Sequence, residues 1–230
     1  MFGFTQIELL LWTLPAIGLA FLAQMWVSSA YAKGQQFSTG MTGFAAARHI
    51  LDGAGLHQVQ IEPVPGHMSD HYDPRDKVLR LSSDVFHGRT LTAVGIAAHE
   101  AGHAIQDAVG YVPLVIRNIA VPVAGFGSNA GAMLMLLGVI FSFPLLLLAG
   151  IVLFSGMVFF QLINLPVEFN ASTRAKRLLV SEGVVHPNDM GPVNNVLNAA
   201  ALTYVAGTLQ SVLTLAYYIM RYSGGERSRG

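Results

Sequence analysis

The chain is expected to be a mainly α-helical, multi-pass membrane protein, with four transmembrane helices and a small α+β domain between the first two. Three observations predict this. Hydrophobic residues make up 53% of the 230 residues and charged residues only 11%, against about 25% charged in soluble domains. The apolar residues gather into charge-free stretches long enough to cross a bilayer, which takes about 20 residues per helix. Between the first and second of these lies one polar segment in which strand-like alternation gives way to a small-residue helix.

The first span falls in segment 1–32, with the helix at residues 5–30. Leu9 to Ala32 carries no charge, and Trp12 and Trp26 lie near its ends, where interfacial aromatics sit. A cleaved signal peptide fits poorly, because no basic region precedes the stretch and Glu8 stands there instead.

Residues 33–116 form the polar domain. Thr42 to Leu51 reads as a short amphipathic helix closed by Asp52-Gly53. Val59, Ile61 and Val64 alternate with polar residues as a strand does, and Pro63, Pro65 and Gly66 force a turn. His67 to Asp76 is expected to be a polar loop. Val78-Leu79-Arg80-Leu81-Ser82 alternates again, giving a second strand along which a substrate backbone can lie by strand addition. The helix that follows starts at Thr90, a good N-cap, and stops at Gly110 with Pro113 beyond.

Residues 117–167 are charge-free from Asn118 to Val167, enough for a hairpin of helices at 122–142 and 145–165. The bend falls at Ser142-Phe143-Pro144, since proline favours a helix start. Gly125, Gly127, Gly131 and Gly138 allow close helix contact. Pro166 then introduces a new helix within segment 168–195. Residues 196–221 make the fourth span, and 222–230 are a basic, Gly-rich tail expected to be disordered. Four spans put the polar domain and segment 168–195 on one side. All of the 13 basic residues except Arg221, Arg227 and Arg229 lie on that side, which the positive-inside rule makes cytoplasmic.

The chemistry is concentrated in Ala98-His99-Glu100-Ala101-Gly102-His103. On a helix, positions four apart share a face, so His99 and His103 can offer two imidazoles to one ion, and zinc suits them. Glu100 lies beside the ion without binding it, placed to take a proton from water. The plain alternative is a helix that happens to carry two histidines, so a third ligand is decisive. Glu168 is the only acidic residue between Asp107 and Glu182, and it falls at a membrane boundary on the same side as the motif. A carboxylate from a following helix completes a two-His, one-Glu set with one position open. The plain alternative for Glu168 is a carboxylate that favours a helix N-terminus. His67, Asp70 and His71 can also bind metal, but side chain to backbone bonds in a turn explain them more simply.

Composition narrows the rest. The absence of cysteine excludes disulfides, thiolate zinc sites, iron–sulfur clusters and a cysteine nucleophile. Zero formal net charge gives no sign of a nucleic-acid partner.

The run from Asp70 to Gln106, together with Leu165-Pro166-Val167-Glu168-Phe169, resembles the YugP-like bacterial membrane zinc metallopeptidases. The similarity covers nearly the whole chain. More distantly, the placement in the membrane is similar to HtpX and the CAAX prenyl proteases, among the gluzincins. The resemblance implies a zincin-like domain in a bacterial inner membrane, with zinc on His99, His103 and Glu168, Glu100 as base, and polypeptide substrates. Two positions depart from that pattern. Asn170 stands where an acid is usual, and Ser172 stands where many gluzincins place an aspartate that orients a histidine. Arg174, His71 and Tyr72 are the candidates for binding substrate or the developing oxyanion. A catalytically inactive zinc-binding membrane scaffold is the rival function. An ion transporter is weaker, because the spans carry ionisable groups only at their ends.

Overall fold

The computed structural model describes the backbone of residues 2–227 and the side chains of residues 7–224 other than 123. It is mostly helical. The first helix, α1, runs from Phe2 to Gly34 and the second, α2, from Gly43 to Gly53, with the Thr42 side chain accepting from Ala45 N–H. Three strands follow: β1 (Gln60–Val64), β2 (His71–Asp73) and β3 (Val78–Ser82). They form one sheet in the order β1-β3-β2, with β1 parallel and β2 antiparallel to β3.

Two expectations change here. The segment 67–76 is not all loop, because its middle three residues pair with β3. Tyr72 explains this: its ring is buried and its hydroxyl donates to Asp107 Oδ2 at 2.7 Å. Also, β3 is the central strand with partners on both sides, so a substrate backbone cannot pair along Val78–Ser82.

A short helix, α3 (Ser83–Phe86), leads to α4 (Leu91–Ala108), which carries the histidine motif. Thr90 caps α4 by accepting from Ala93 N–H. Its other end closes on Gly110 at φ 61°. There Gly110 N–H bonds Asp107 O and Tyr111 N–H bonds Gln106 O, the reciprocal pair that a left-handed glycine permits.

The remaining helices are α5 (Val112–Ile140), α6 (Pro144–Ser181) and α7 (Gly191–Arg227). Among the described residues, Ile7–Gly34, Pro144–Ser181 and Gly191–Gly224 are long and apolar enough to cross a membrane. A fourth span is available if Val112–Pro122 and Ala124–Ile140, bent by 51°, count as one. The bend falls at Pro122, which removes a helix hydrogen bond and crowds the preceding turn.

The helix through residues 145–165 and the one bearing Glu168 are a single helix, not two. Pro166 is exposed while Val167, Glu168, Ala171, Ser172, Ala175 and Leu179 are buried. That stripe has helical spacing, so its packing carries α6 past a proline whose ring points outward. At the chain's end, α7 continues through part of the expected tail to Arg227, and residues 228–230 lie outside the described residues.

The chain divides into two compact units. One holds residues 1–22, 116–165 and 203–230. In it α5 and α6 form a glycine-lined hairpin, and Leu11, Phe21, Leu22 and Ile119 are exposed, as lipid-facing side chains would be. The other holds residues 23–115 and 166–202. Its core joins α2, β3, α4, α6 and α7 through Ile50, Leu51, Leu79, Leu81, Val94, Leu179 and Val193.

Candidate metal centre and active site

The site lies wholly within this second unit and starts from α4. Four-residue spacing puts His99 and His103 on one face, and their Nε2 atoms lie 3.2 Å apart. The third atom arrives from α6. Glu168 Oε2 lies 3.3 Å from His99 Nε2 and 3.6 Å from His103 Nε2. Gly102 makes the approach possible, since a Cβ there would sit 2.9 Å from Ala171 O.

These separations fit zinc. Tetrahedral bonds of about 2.0–2.1 Å place neighbouring ligand atoms about 3.3–3.4 Å apart. The three observed spacings bracket that value. Among the described residues, these three alone form a group of this kind. Glu168 is 3% exposed and His103 8%, so the site is dry on the protein side and its electrostatics are strong.

The proton positions agree with metal binding. Gln106 is fully buried, and its Nε2 donates to Val167 O at 2.8 Å and to Asn170 Oδ1 at 3.0 Å. A backbone carbonyl only accepts, so the amide nitrogen of Gln106 must face Val167 and its oxygen must face His103. That oxygen lies 3.0 Å from His103 Nδ1. Nδ1 therefore carries the hydrogen, and Nε2 presents a bare lone pair to the site. Asn170 Oδ1 in turn accepts from Arg174 Nε at 2.7 Å. Behind the other histidine, Ser172 Oγ lies 3.1 Å from His99 Nδ1.

Glu100 follows His99 and is 8% exposed. Burial pushes its carboxyl up to about 7; Glu168 and Asp70 add to the rise, while His99 and the Tyr72 N–H oppose it. Tyr72 lies in β2 with its hydroxyl held by Asp107. Lys77 Nζ bonds the same Asp107 carboxylate, which ties the turn between β2 and β3 to α4.

The other sequence-named groups have these partners. His71 is exposed, with Nδ1 donating to Ser69 O at 2.8 Å. Asp70 Oδ1 accepts from Ser82 N at 2.8 Å and Ser82 Oγ at 3.0 Å. His67 Nδ1 lies 3.3 Å from Asp84 Oδ2. Asp70, His71 and His67 stand outside the metal-binding group. Gln106 is the residue that inspection of the sequence missed. Its one cue is that it follows His103 by three positions, on the same helix face.

Comparison with known proteins agrees with the chemistry. Residues 9–223 match the model of a family described as "Putative neutral zinc metallopeptidase". The chain is 47% identical over 215 residues to "Putative membrane protease YugP" of Bacillus subtilis (strain 168), covering 93% of this chain and 96% of that protein. No solved structure matches the chain. A family match across nearly the whole length, on a chain whose His99, His103 and Glu168 fit zinc, leads to one conclusion: the protein belongs to this zinc metallopeptidase family.

Proposed function

We propose that the chain is a membrane-anchored zinc endopeptidase that hydrolyses peptide bonds in membrane-associated or unfolded polypeptides. In this reading the site works at the cytoplasmic face of a bacterial inner membrane. The observation that carries it is the meeting of His99 and His103 from α4 with Glu168 from α6 at 3.2–3.6 Å, beside a buried Glu100.

Bound there, zinc supplies Lewis acidity, polarising the scissile carbonyl and lowering the pKa of water. Glu100 takes the proton of the attacking water and hands it to the leaving amine. Gln106 and Ser172 hold the imidazole planes. The developing oxyanion needs a donor. We assign it to His71, whose ring is exposed, or to Arg174, ahead of Tyr72, whose hydroxyl is committed to Asp107.

The test uses an unfolded protein substrate and the purified full chain. Chelation abolishes cleavage, added zinc restores it, and Glu100→Gln lowers kcat by about 10²–10⁴-fold. Full activity in Glu100→Gln would rule the mechanism out. The inactive-scaffold alternative requires a closed four-ligand site. Asp70 and His71, the candidates for a fourth ligand, stand outside the group formed by His99, His103 and Glu168, which favours the open, catalytic set.

A further inference from the structure

The two ligand histidines are backed by partners of different kinds. Behind His103 stands an amide oxygen whose orientation is forced by Val167 O, so His103 has one available tautomer. Behind His99 stands the hydroxyl of Ser172, 3.1 Å from Nδ1 and 7% exposed. A hydroxyl can accept from an N–H or donate to a bare nitrogen with equal ease. His99 is therefore free to carry its hydrogen on either nitrogen.

That freedom matters because three lone-pair atoms converge at 3.2–3.6 Å in a buried site. With a divalent cation among them, both Nε2 atoms must be bare, so His99 carries hydrogen on Nδ1 and Ser172 accepts. With no cation, two bare nitrogens and a carboxylate oxygen would repel at low dielectric. One N–H at His99 Nε2 turns the repulsion into a hydrogen bond to Glu168 Oε2 or to His103 Nε2. A neutral His103 cannot provide that hydrogen, because Gln106 holds its one hydrogen on Nδ1.

We propose that Ser172 is a positioning residue whose two-way hydroxyl lets His99 exchange tautomers as the metal enters and leaves, while Gln106 keeps His103 ready to bind throughout. In the exchange an N–H bond at Nε2 breaks and one at Nδ1 forms, with solvent carrying the proton and no change in proton count. The Ser172 O–H swings from donating toward Nδ1 to accepting from it. The inference rests on the zinc-site reading above and adds that the metal-free protein is itself a satisfied state.

The experiment is ¹⁵N NMR of the full chain in detergent, labelled at histidine, at pH 8, with and without zinc. His99 is expected to move from hydrogen on Nε2 to hydrogen on Nδ1 when zinc is added, while His103 keeps it on Nδ1 in both states. Ser172→Asp offers only an acceptor. It is expected to bind zinc about 10–100-fold more tightly in competition with a chromophoric chelator, and its metal-free form is expected to melt below wild type. Ser172→Thr, which keeps a hydroxyl, matches wild type in both. A metal-free His99 with hydrogen on Nδ1, or on both nitrogens, overturns the inference. So does Ser172→Asp with wild-type affinity and metal-free melting. If Ser172→Asp does not fold, the wild-type spectra decide alone. Wild-type protein that takes up no zinc defeats the proposed function itself, whereas zinc uptake with an unchanged His99 tautomer defeats only this inference.

Discussion

Of the helix contacts that glycine makes close, the α5–α6 hairpin and the α4–α6 crossing tolerate error differently. In the α5–α6 hairpin the contact is spread over four glycines. A Cβ would fall 2.5 Å from Leu153 O at Gly127, 2.7 Å from Phe154 N at Gly131, 2.5 Å from Leu147 N at Gly138 and 2.5 Å from Met135 N at Gly150. The α4–α6 crossing rests on Gly102 alone, 2.9 Å from Ala171 O. The hairpin glycines set how well two helices pack. Gly102 sets where the Glu168 carboxylate sits, because Glu168 lies one turn of α6 before Ala171. A packing contact can relax by a few tenths of an ångström at modest cost. A metal site requires its distances within about 0.2 Å.

The largest effect is therefore expected at Gly102. Gly102→Val should abolish zinc binding and cleavage, since the branched side chain meets a backbone carbonyl that cannot move without α6. Gly102→Ala should lower zinc affinity at least about tenfold and destabilise the fold by about 1–3 kcal/mol through overpacking. Gly131→Ala should cost a similar 1–3 kcal/mol in thermal melting while leaving zinc affinity at the wild-type value. Equal zinc affinity in Gly102→Ala and Gly131→Ala would erase the distinction between the crossings.

The crossing at the site is also held by hydrogen bonds, and these sharpen the contrast. Gln106 needs an oxygen toward His103 and a donor toward Val167 O and Asn170 Oδ1. Gln106→Glu has the same shape but no donor, so its second oxygen would face two acceptors. It is expected to weaken zinc binding about 10–100-fold and to destabilise the protein by about 1–3 kcal/mol. Asn170→Asp is the control. Its Oδ1 accepts from both Gln106 and Arg174, so a carboxylate fits and zinc should bind at least as well. Chelator competition and thermal melting read both. A Gln106→Glu variant as tight as wild type would show that Val167 O does not orient the amide.

How much of this was legible in the residues follows from the range over which each feature is decided. That His99 and His103 share one face was legible because four-residue spacing fixes a helix face without any tertiary context. Glu168 was legible because no other acid lies between Asp107 and Glu182. The ends of α4 were legible from Thr90 and Gly110, whose roles are local. The tie between Tyr72 and Asp107 was not, because it depends on β2, a strand of three residues, and joins positions thirty-five apart. Nor was the continuity of α6. Pro166 is a local signal for a helix start, and the buried stripe around it overrides that signal. Ser172 was recognised only as a departure, and its partner, His99, became visible once α4 and α6 were brought together.

The smallest effect is expected at the hairpin glycine that does no packing. Gly125 shares with Gly127, Gly131 and Gly138 the sequence expectation of close helix contact, yet a Cβ there meets nothing within 4 Å. A helical glycine without a steric role costs about 0.5–1 kcal/mol relative to alanine, because it loses more backbone freedom on folding. Gly125→Ala should accordingly raise the melting temperature slightly and leave zinc affinity and cleavage unchanged. A lower melting temperature would mean that this face of α5 is covered in the assembled protein, and that the hairpin has five packing glycines in place of four.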